Sequence, residues 1–239
     1  MQRRRRVALV SALGLAAIWL SGCGSDSPAS VAPAFALAEA REQPGVPADA
    51  LAEVQAQLAS PANAPAIVEA QSAALVVPVL DPDPPDLAGT SAWINSPPTS
   101  IEELTAQGEV VLIDFWTYSC YNCVNVFPSL KSWHEKYDDL GLTIVGVHSP
   151  EYDFEHDLGN LTAAVEKYEL EYPIVQDNLF MTWRGFDNHH WPSIFLIDSE
   201  GRLRYRHIGE GAYSETERVV RALLIEGGAD LSGVAPVYP

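Results

Sequence analysis

The chain has 239 residues, enough for one or two domains, and 47% of them are hydrophobic, enough to bury a core. Its formal net charge is -18, from 32 acidic against 14 basic residues. Such a surface repels phosphate backbones and anionic lipid headgroups, so nucleic acid is excluded as a partner, and three cysteines are too few for a disulfide-built scaffold.

Residues 1–22 read as a lipoprotein signal peptide. Arg3, Arg4, Arg5 and Arg6 precede an uncharged, mostly apolar run over residues 7–20, of signal-peptide length and short for a bilayer span. Leu20-Ser21-Gly22-Cys23 resembles the bacterial lipobox, in which the cysteine is lipid-modified and becomes the first residue of the mature protein. Acyl chains on Cys23 would anchor the chain to the periplasmic side of a bacterial membrane, each buried methylene adding about 0.8 kcal/mol. The alternative is an ordinary secretory signal that leaves Cys23 a free thiol.

Residues 23–90 are rich in Ala, Pro and Ser and poor in aromatic residues, a composition that predicts a largely disordered tether. Within it, residues 49–60 carry Leu51, Val54 and Leu58 at helical spacing, and residues 75–80 form an apolar run interrupted by Pro78. Some of this tether could dock on the domain that follows.

The compact domain is expected over residues 91–229, with a C-terminal tail at 230–239. Residues 110–115 are a continuous, β-branched apolar run, the pattern of a strand buried on both faces. Val124, Phe127, Leu130, Trp133 and Tyr137 then recur at helical spacing. Residues 142–147 predict a second buried strand, and Phe154, Leu158, Leu161, Val165 and Tyr168 predict one amphipathic helix, completing a βαβ unit. Residues 193–197 and 203–208 predict two strands joined by the turn Asp198-Ser199-Glu200-Gly201, which makes the sheet mixed. Ser214-x-x-Glu217 reads as a capping box that opens a last helix with Val219, Val220, Leu223 and Leu224 inward, ending at Gly227-Gly228. The fold class is α/β, a mixed central sheet between helical layers.

The chemistry is concentrated in Cys120-Tyr121-Asn122-Cys123, where the first strand gives way to a helix. Two intervening residues on a first helical turn bring both sulfurs within bonding range. A helix N-terminus aims unpaired N–H groups at Cys120 and favours its thiolate, so Cys120 is the expected nucleophile and Cys123, one turn inside, the resolving thiol. A merely structural bridge is the competing reading, but so short a loop removes little chain entropy and makes a poor staple. Asp114, an acid within an apolar strand, is either a buried proton acceptor or a carboxylate satisfied by backbone N–H groups.

Strand order, Cys-x-x-Cys placement, Asp114 six residues before Cys120, Pro128 in the following helix and Trp191-Pro192 ahead of the third strand together resemble the thioredoxin superfamily. The motifs from Phe115 to Cys123, Gly146-Val147-His148-Ser149-Pro150-Glu151, and Gly209-Glu210-Gly211-Ala212-Tyr213 make the chain similar to membrane-anchored TlpA-like and DipZ-like thioredoxins. The resemblance implies a thioredoxin-like three-layer fold and a redox-active disulfide with no other cofactor and no metal. It implies that Asp114 handles the proton of Cys123, that Pro192 follows a cis peptide bond, and that Trp191 and Pro192 face the substrate. Tyr121 and Asn122, between the cysteines, would touch it too. Trp116 and Tyr118 are candidate rim contacts, with a core role equally open. The implied partners are protein dithiols or disulfides and an upstream membrane redox protein. Ser119 and Tyr121-Asn122 depart from the residues ordinary thioredoxins place there, which leaves the direction of electron flow open.

Three other readings stand beside this one. Thr117-x-x-Cys120 has the hydroxyl-to-thiol spacing of an AhpC/TSA-type thiol peroxidase, with Ile113 where that motif has proline. His189 and His190 beside Pro192 raise copper binding or metal delivery, although adjacent residues of an extended chain point in different directions. The third is a non-enzymatic binding module whose bridge is only structural.

Overall fold

A computed structural model describes residues 72–238, so the signal peptide, Cys23 and the candidate helix at 49–60 lie outside the described residues. The elements run β1 (Trp93–Ile94), α1 (Ile101–Thr105), β2 (Val110–Trp116), α2 (Tyr121–Tyr137), β3 (Leu142–His148), α3 (Leu158–Tyr168), β4 (Ile174–Gln176), α4 (Met181–Gly185), β5 (Ser193–Ile197), β6 (Leu203–Ile208) and α5 (Tyr213–Glu226). Six strands form one sheet in the order β1-β4-β3-β2-β5-β6. β2, β3 and β4 are parallel, while β5 runs antiparallel to β2, β6 to β5 and β1 to β4. The sheet is therefore mixed, as the hairpin after residue 193 predicts, and the α/β three-layer expectation matches.

Every residue of β2 is buried, which explains its unbroken apolar sequence: alternate side chains serve opposite layers. Val110, Leu112 and Trp116 pack under α2, α3 and α5, with Phe127, Leu130, Trp133, Leu161, Val165, Val220 and Leu223. Val111, Ile113 and Phe115 pack on the other face with Ile101 of α1, Trp183 of α4 and Phe186. Phe115 meets Trp183, Phe186 and Phe195 edge-on at centroid distances of 5.7, 5.5 and 5.5 Å. That geometry suits aromatic quadrupoles.

Two expected elements are corrected. The helix anticipated from Phe154 through Tyr168 is broken, because Asp157 accepts a hydrogen bond from Asn160 N at 2.9 Å and caps α3 at Leu158. Phe154 consequently sits in a separate 3-10 turn, Asp153–His156, and is 52% exposed. The capping box at Ser214 and Glu217 does not form: α5 starts after Ala212, held at φ 50, with no side-chain cap. Glu217 is instead buried and accepts from Tyr137 Oη at 2.6 Å, Val237 N at 2.6 Å and Tyr238 N at 2.7 Å. A charge-assisted acceptor with three donors outweighs one exposed cap.

Glu217 thereby ties residues 237 and 238 to the domain, and Tyr238 Oη lies 2.7 Å from Ser129 Oγ. On the N-terminal side, Leu80 N donates to Leu203 O at 2.8 Å and Leu203 N to Asp81 O at 2.9 Å, extending the β6 edge. Arg204 Nε reaches Val77 O at 3.2 Å and Pro78 O at 3.3 Å, and Val77 is buried. Asp86 caps α1 by accepting from Ile101 N at 2.7 Å. The chain is thus fastened to the domain well before residue 91.

Candidate functional site

Cys120 is the N-cap of α2, and the turn before it is set by Cys120 N donating to Thr117 O at 3.3 Å. Its Sγ accepts from Cys123 N at 3.4 Å. This is the geometry of a helix N-terminus holding an anion. The Cys120 thiol is brought down to about 6 by its hydrogen bond with Cys123, against burial, with help from the backbone N–H groups of Cys123 and Asn122. Cys123 faces the opposite way energetically. It is 1% exposed, and burial, its bond to Cys120 and the nearby Asp114 push its thiol far up. Both cysteines are free thiols, Cys120 partly exposed and Cys123 buried, so one sulfur can reach a partner and the other cannot.

Asp114 projects to the α2 side of β2, opposite Gly146 on β3 and Ile194 on β5. Burial, and secondarily Cys120, raises its carboxyl to about 8. Its Oδ1 is buried without a hydrogen-bond partner among the described residues, so backbone N–H groups do not satisfy that oxygen. Gly146 leaves room here: a Cβ at that position would meet Trp116 Nε1 at 2.9 Å and Tyr172 Cε2 at 3.2 Å. The Tyr172 hydroxyl and Trp116 Nε1 are likewise buried without partners among the described residues. Tyr172 holds its proton well above the usual range through burial, Asp114 and Cys123. Nothing in the sequence pattern around Tyr172 sets it beside the cysteines.

The expected substrate-facing residues divide. The Trp191–Pro192 bond is cis. Pro192 immediately precedes β5, whose Ser193 pairs with Phe115, placing it at the same end of the sheet as Cys120. Trp191 is half-buried, donates through Nε1 to Ser149 O at 3.0 Å and lies 4.3 Å from the Trp183 ring. Tyr118 is on the rim, Tyr121 is 77% exposed and Asn122 is exposed. Trp116 is corrected: it is fully buried, edge-on to Phe127 at 5.2 Å and His148 at 5.1 Å. It shares the inner face of β2 with Leu112 and Asp114, so it is core and cannot touch a partner.

Two further residues behind the loop escape a reading of the sequence. Glu155 is fully buried and accepts from Ser119 N at 3.3 Å, Glu151 N at 2.6 Å and Tyr152 N at 2.9 Å. Burial would raise its carboxyl, but the bonds from Thr117, Ser119, Tyr152 and Glu151 win and hold it below its ordinary value. His148, buried and lowered to about 4 chiefly by burial, stands with Nε2 3.3 Å from Thr117 Oγ1 and its ring stacked on Tyr118 at 5.4 Å. The Thr117 hydroxyl is therefore engaged by His148 on the buried side of the loop. His189 and His190 are exposed, and His189 Nε2 is 3.0 Å from Asp187. No group of three or more His, Cys, Asp or Glu that could hold a metal gathers among the described residues.

Comparison with known proteins agrees with this geometry. A family model described as the AhpC/TSA family matches residues 87–206, half of the chain. Protein DipZ of Mycobacterium tuberculosis is 44% identical over 141 residues, covering 59% of this chain and 20% of that protein. The chain thus spans about a fifth of the length of the DipZ relatives it matches. Thiol-disulfide oxidoreductase ResA of Bacillus cereus is 25% identical over 117 residues, covering 49% of this chain and 65% of that protein. Among solved structures, a thioredoxin-like protein in the oxidized form aligns with a TM-score of 0.55 and 29% identity, covering 61% of this chain and 96% of that one. A thiol-disulfide isomerase from Corynebacterium glutamicum shares the fold, with a TM-score of 0.50 and 22% identity over 62% of this chain and 96% of that one. By the family match over residues 87–206 and the fold that carries it, this chain belongs to the AhpC/TSA family of thioredoxin-like proteins and is similar to its TlpA-like and DipZ-like members.

Proposed function

We propose that this chain is an extracytoplasmic thiol-disulfide oxidoreductase that exchanges disulfides with partner proteins through Cys120 and Cys123. The observation that carries the reading is the split between the two sulfurs: Cys120 lowered to about 6 at a helix N-terminus, Cys123 buried and raised beside Asp114. At neutral pH the outer sulfur is a thiolate and the inner one a thiol, which fixes the order of events. Cys120 attacks a partner disulfide, forming a mixed disulfide and releasing one partner sulfur as thiolate. Where the Asp114 carboxyl is ionised, the minor form at neutral pH for a group raised to about 8, Cys123 gives it its proton and attacks Cys120 Sγ, freeing the second partner sulfur and leaving a Cys120–Cys123 disulfide. The partner gains two electrons and this chain loses them; the reverse sequence oxidises a partner dithiol. The chemistry uses no cofactor beyond the cysteine pair. Trp191 and cis Pro192 form one wall of the partner site, with Tyr118, Tyr121 and Asn122 on its rim.

Localisation rests on the sequence. The basic start, the apolar run over residues 7–20 and Cys23 in lipobox context support a lipid anchor that faces the domain to the periplasm, where an upstream membrane redox protein would serve it. No helix among the described residues is long and apolar enough to cross a membrane. Acyl labelling of the wild type, lost on Cys23→Ser, is the expected result, and equal labelling of both removes the anchor from the account.

The redox reading is tested with Cys123→Ser, which stalls exchange after the first step. A mixed disulfide at Cys120, absent from Cys120→Ser, is expected on exposure to oxidised extracytoplasmic proteins. Recovery of no mixed disulfide, together with a Cys120–Cys123 pair that does not titrate reversibly in a dithiol redox buffer, would contradict it.

A further inference from the structure

A second wall flanks Cys120. A groove of about 670 Å³ opens beside it, lined by Tyr118, Tyr121, Val124, Phe154, Lys167 and Tyr168 among others. Phe154 and Lys167 belong to the crossover from β3 to β4, whereas Pro192 immediately precedes β5, and β3 and β5 lie on opposite sides of β2. The groove is therefore separate from the proline wall.

Its surface is unusual for a water-facing one. Tyr121, the residue after Cys120, is 77% exposed, and Phe154 is 52% exposed with Tyr152 stacked on it at 5.5 Å and 4°. Exposed aromatic surface next to a reactive thiol marks an interaction site more often than a chance feature. The rim is set in advance, because Tyr118 Oη donates to Phe154 O at 3.0 Å, so little ordering remains on binding. Lys167 is the one charged side chain in this lining. Its Nζ lies 4.7 Å from the Tyr168 ring centroid and 3.3 Å from that hydroxyl, and it makes no ion pair among the described residues. The chain's net charge of -18 repels a carboxylate over most of its surface, so within this lining the end beside Lys167 is where one is attracted.

Building on the oxidoreductase reading, we propose that this groove binds the partner protein around its reacting cysteine, taking an extended segment with an aromatic or apolar side chain beside the cysteine and a carboxylate a few residues away. The aromatic side chain lies against Tyr121 and Phe154, and the carboxylate meets Lys167. The groove thus supplies the partner preference that a bare cysteine pair lacks.

The test uses the full chain carrying Cys123→Ser and two peptides of equal composition, each with one cysteine as its 2-pyridyl disulfide. One peptide has Phe on both sides of the cysteine and Glu three residues away in each direction; in the other these residues are at the ends, with Gly and Ser in the middle. Cys120 Sγ bonds to the peptide sulfur, the bond to the pyridyl sulfur breaks, and 2-thiopyridone leaves with the electron pair. Its absorbance gives the rate, and 2,2′-dithiodipyridine, uncharged and small, is the reference disulfide. Relative to that reference, the first peptide is expected to react about tenfold faster than the second, the scale of burying part of one aromatic side chain. That preference should fall about fivefold on Lys167→Glu or Phe154→Ala, and persist in Lys136→Glu, which makes the same charge change at the other end of α2. Equal rates for both peptides, or a preference untouched by Lys167→Glu and Phe154→Ala, would overturn the assignment. So would a preference that disappears as enzyme concentration rises, since a second copy of this chain would then fill the groove. Failure to react with dithiodipyridine itself would instead strike the oxidoreductase reading.

Discussion

Two buried carboxylates stand on either side of Cys120 and have opposite fates. Glu155, in the turn after β3, is surrounded by donors: three backbone N–H groups within 3.3 Å and the Thr117 hydroxyl. Asp114, within β2, has Oδ1 without a partner among the described residues and apolar neighbours along its face of the strand. Burial alone raises a carboxyl; burial with donors lowers it, because each N–H stabilises only the charged form. Glu155 is accordingly held below its ordinary value and Asp114 is raised to about 8. The difference teaches which acid braces the loop and which, on the proposed reading, exchanges a proton. A fully bonded carboxylate fixes the loop that presents Cys120, whereas an unsatisfied one near neutral pH can trade a proton with Cys123.

The largest expected effect follows from Asp114. Its folded pKa lies above its unfolded value of 3.8, so the native state binds the extra proton between about pH 4 and 8. Stability from this group is full below the unfolded value and is lost as pH rises, at about 1.4 kcal/mol per pH unit across that window. Asp114→Asn should lack that slope, so that the wild-type minus variant difference in denaturant unfolding carries it in full, and should slow resolution of the mixed disulfide by about 100-fold. A variant with the wild-type pH slope would show that Asp114 is not a desolvated acid.

Glu155→Ala should act through structure. Removing it takes the acceptor from the N–H groups of Ser119, Glu151 and Tyr152, whose bonds to it are part-buried, a loss of about 2 kcal/mol in unfolding free energy at pH 7. Because its folded pKa is depressed, its contribution is present above the ordinary carboxylate range and is lost as pH falls through the folded value, the reverse of Asp114. Wild-type stability in Glu155→Ala would contradict the brace. The smallest effect is expected from Tyr172→Phe, which deletes a buried hydroxyl with no partner among the described residues. Its unfolding free energy should stay within about 1 kcal/mol of wild type. A loss beyond about 2 kcal/mol would mean that the hydroxyl is bonded after all.

Much of this was legible in the chain. The strands at 110–116, 142–148, 193–197 and 203–208 announce themselves because each is buried enough to need apolar residues almost throughout, or pairs across a short turn. Cys120, Cys123, Asp114 and cis Pro192 were legible through local spacing and resemblance. β1 and β4, two and three residues long, and the five-residue α1 and α4 are too short to show a period. Glu217 and Trp116 misled for one reason: local pattern says which partner is near in sequence, and here a donor or a packing face from far along the chain outbid it. Glu155 and Tyr172 were silent because their meaning depends on Ser119 and Asp114, dozens of residues away.

The central claim is that Cys120 is acidified by its seat on α2 while Cys123 is not. The most direct measurement is the pH dependence of iodoacetamide alkylation of Cys120 in the Cys123→Ser variant, checked against the thiolate absorbance of the wild-type dithiol. Half-maximal alkylation well below the free-thiol value of about 8.5, in the wild type near 6, is the predicted result. Titration of Cys120 at or above the free-thiol value would contradict the account.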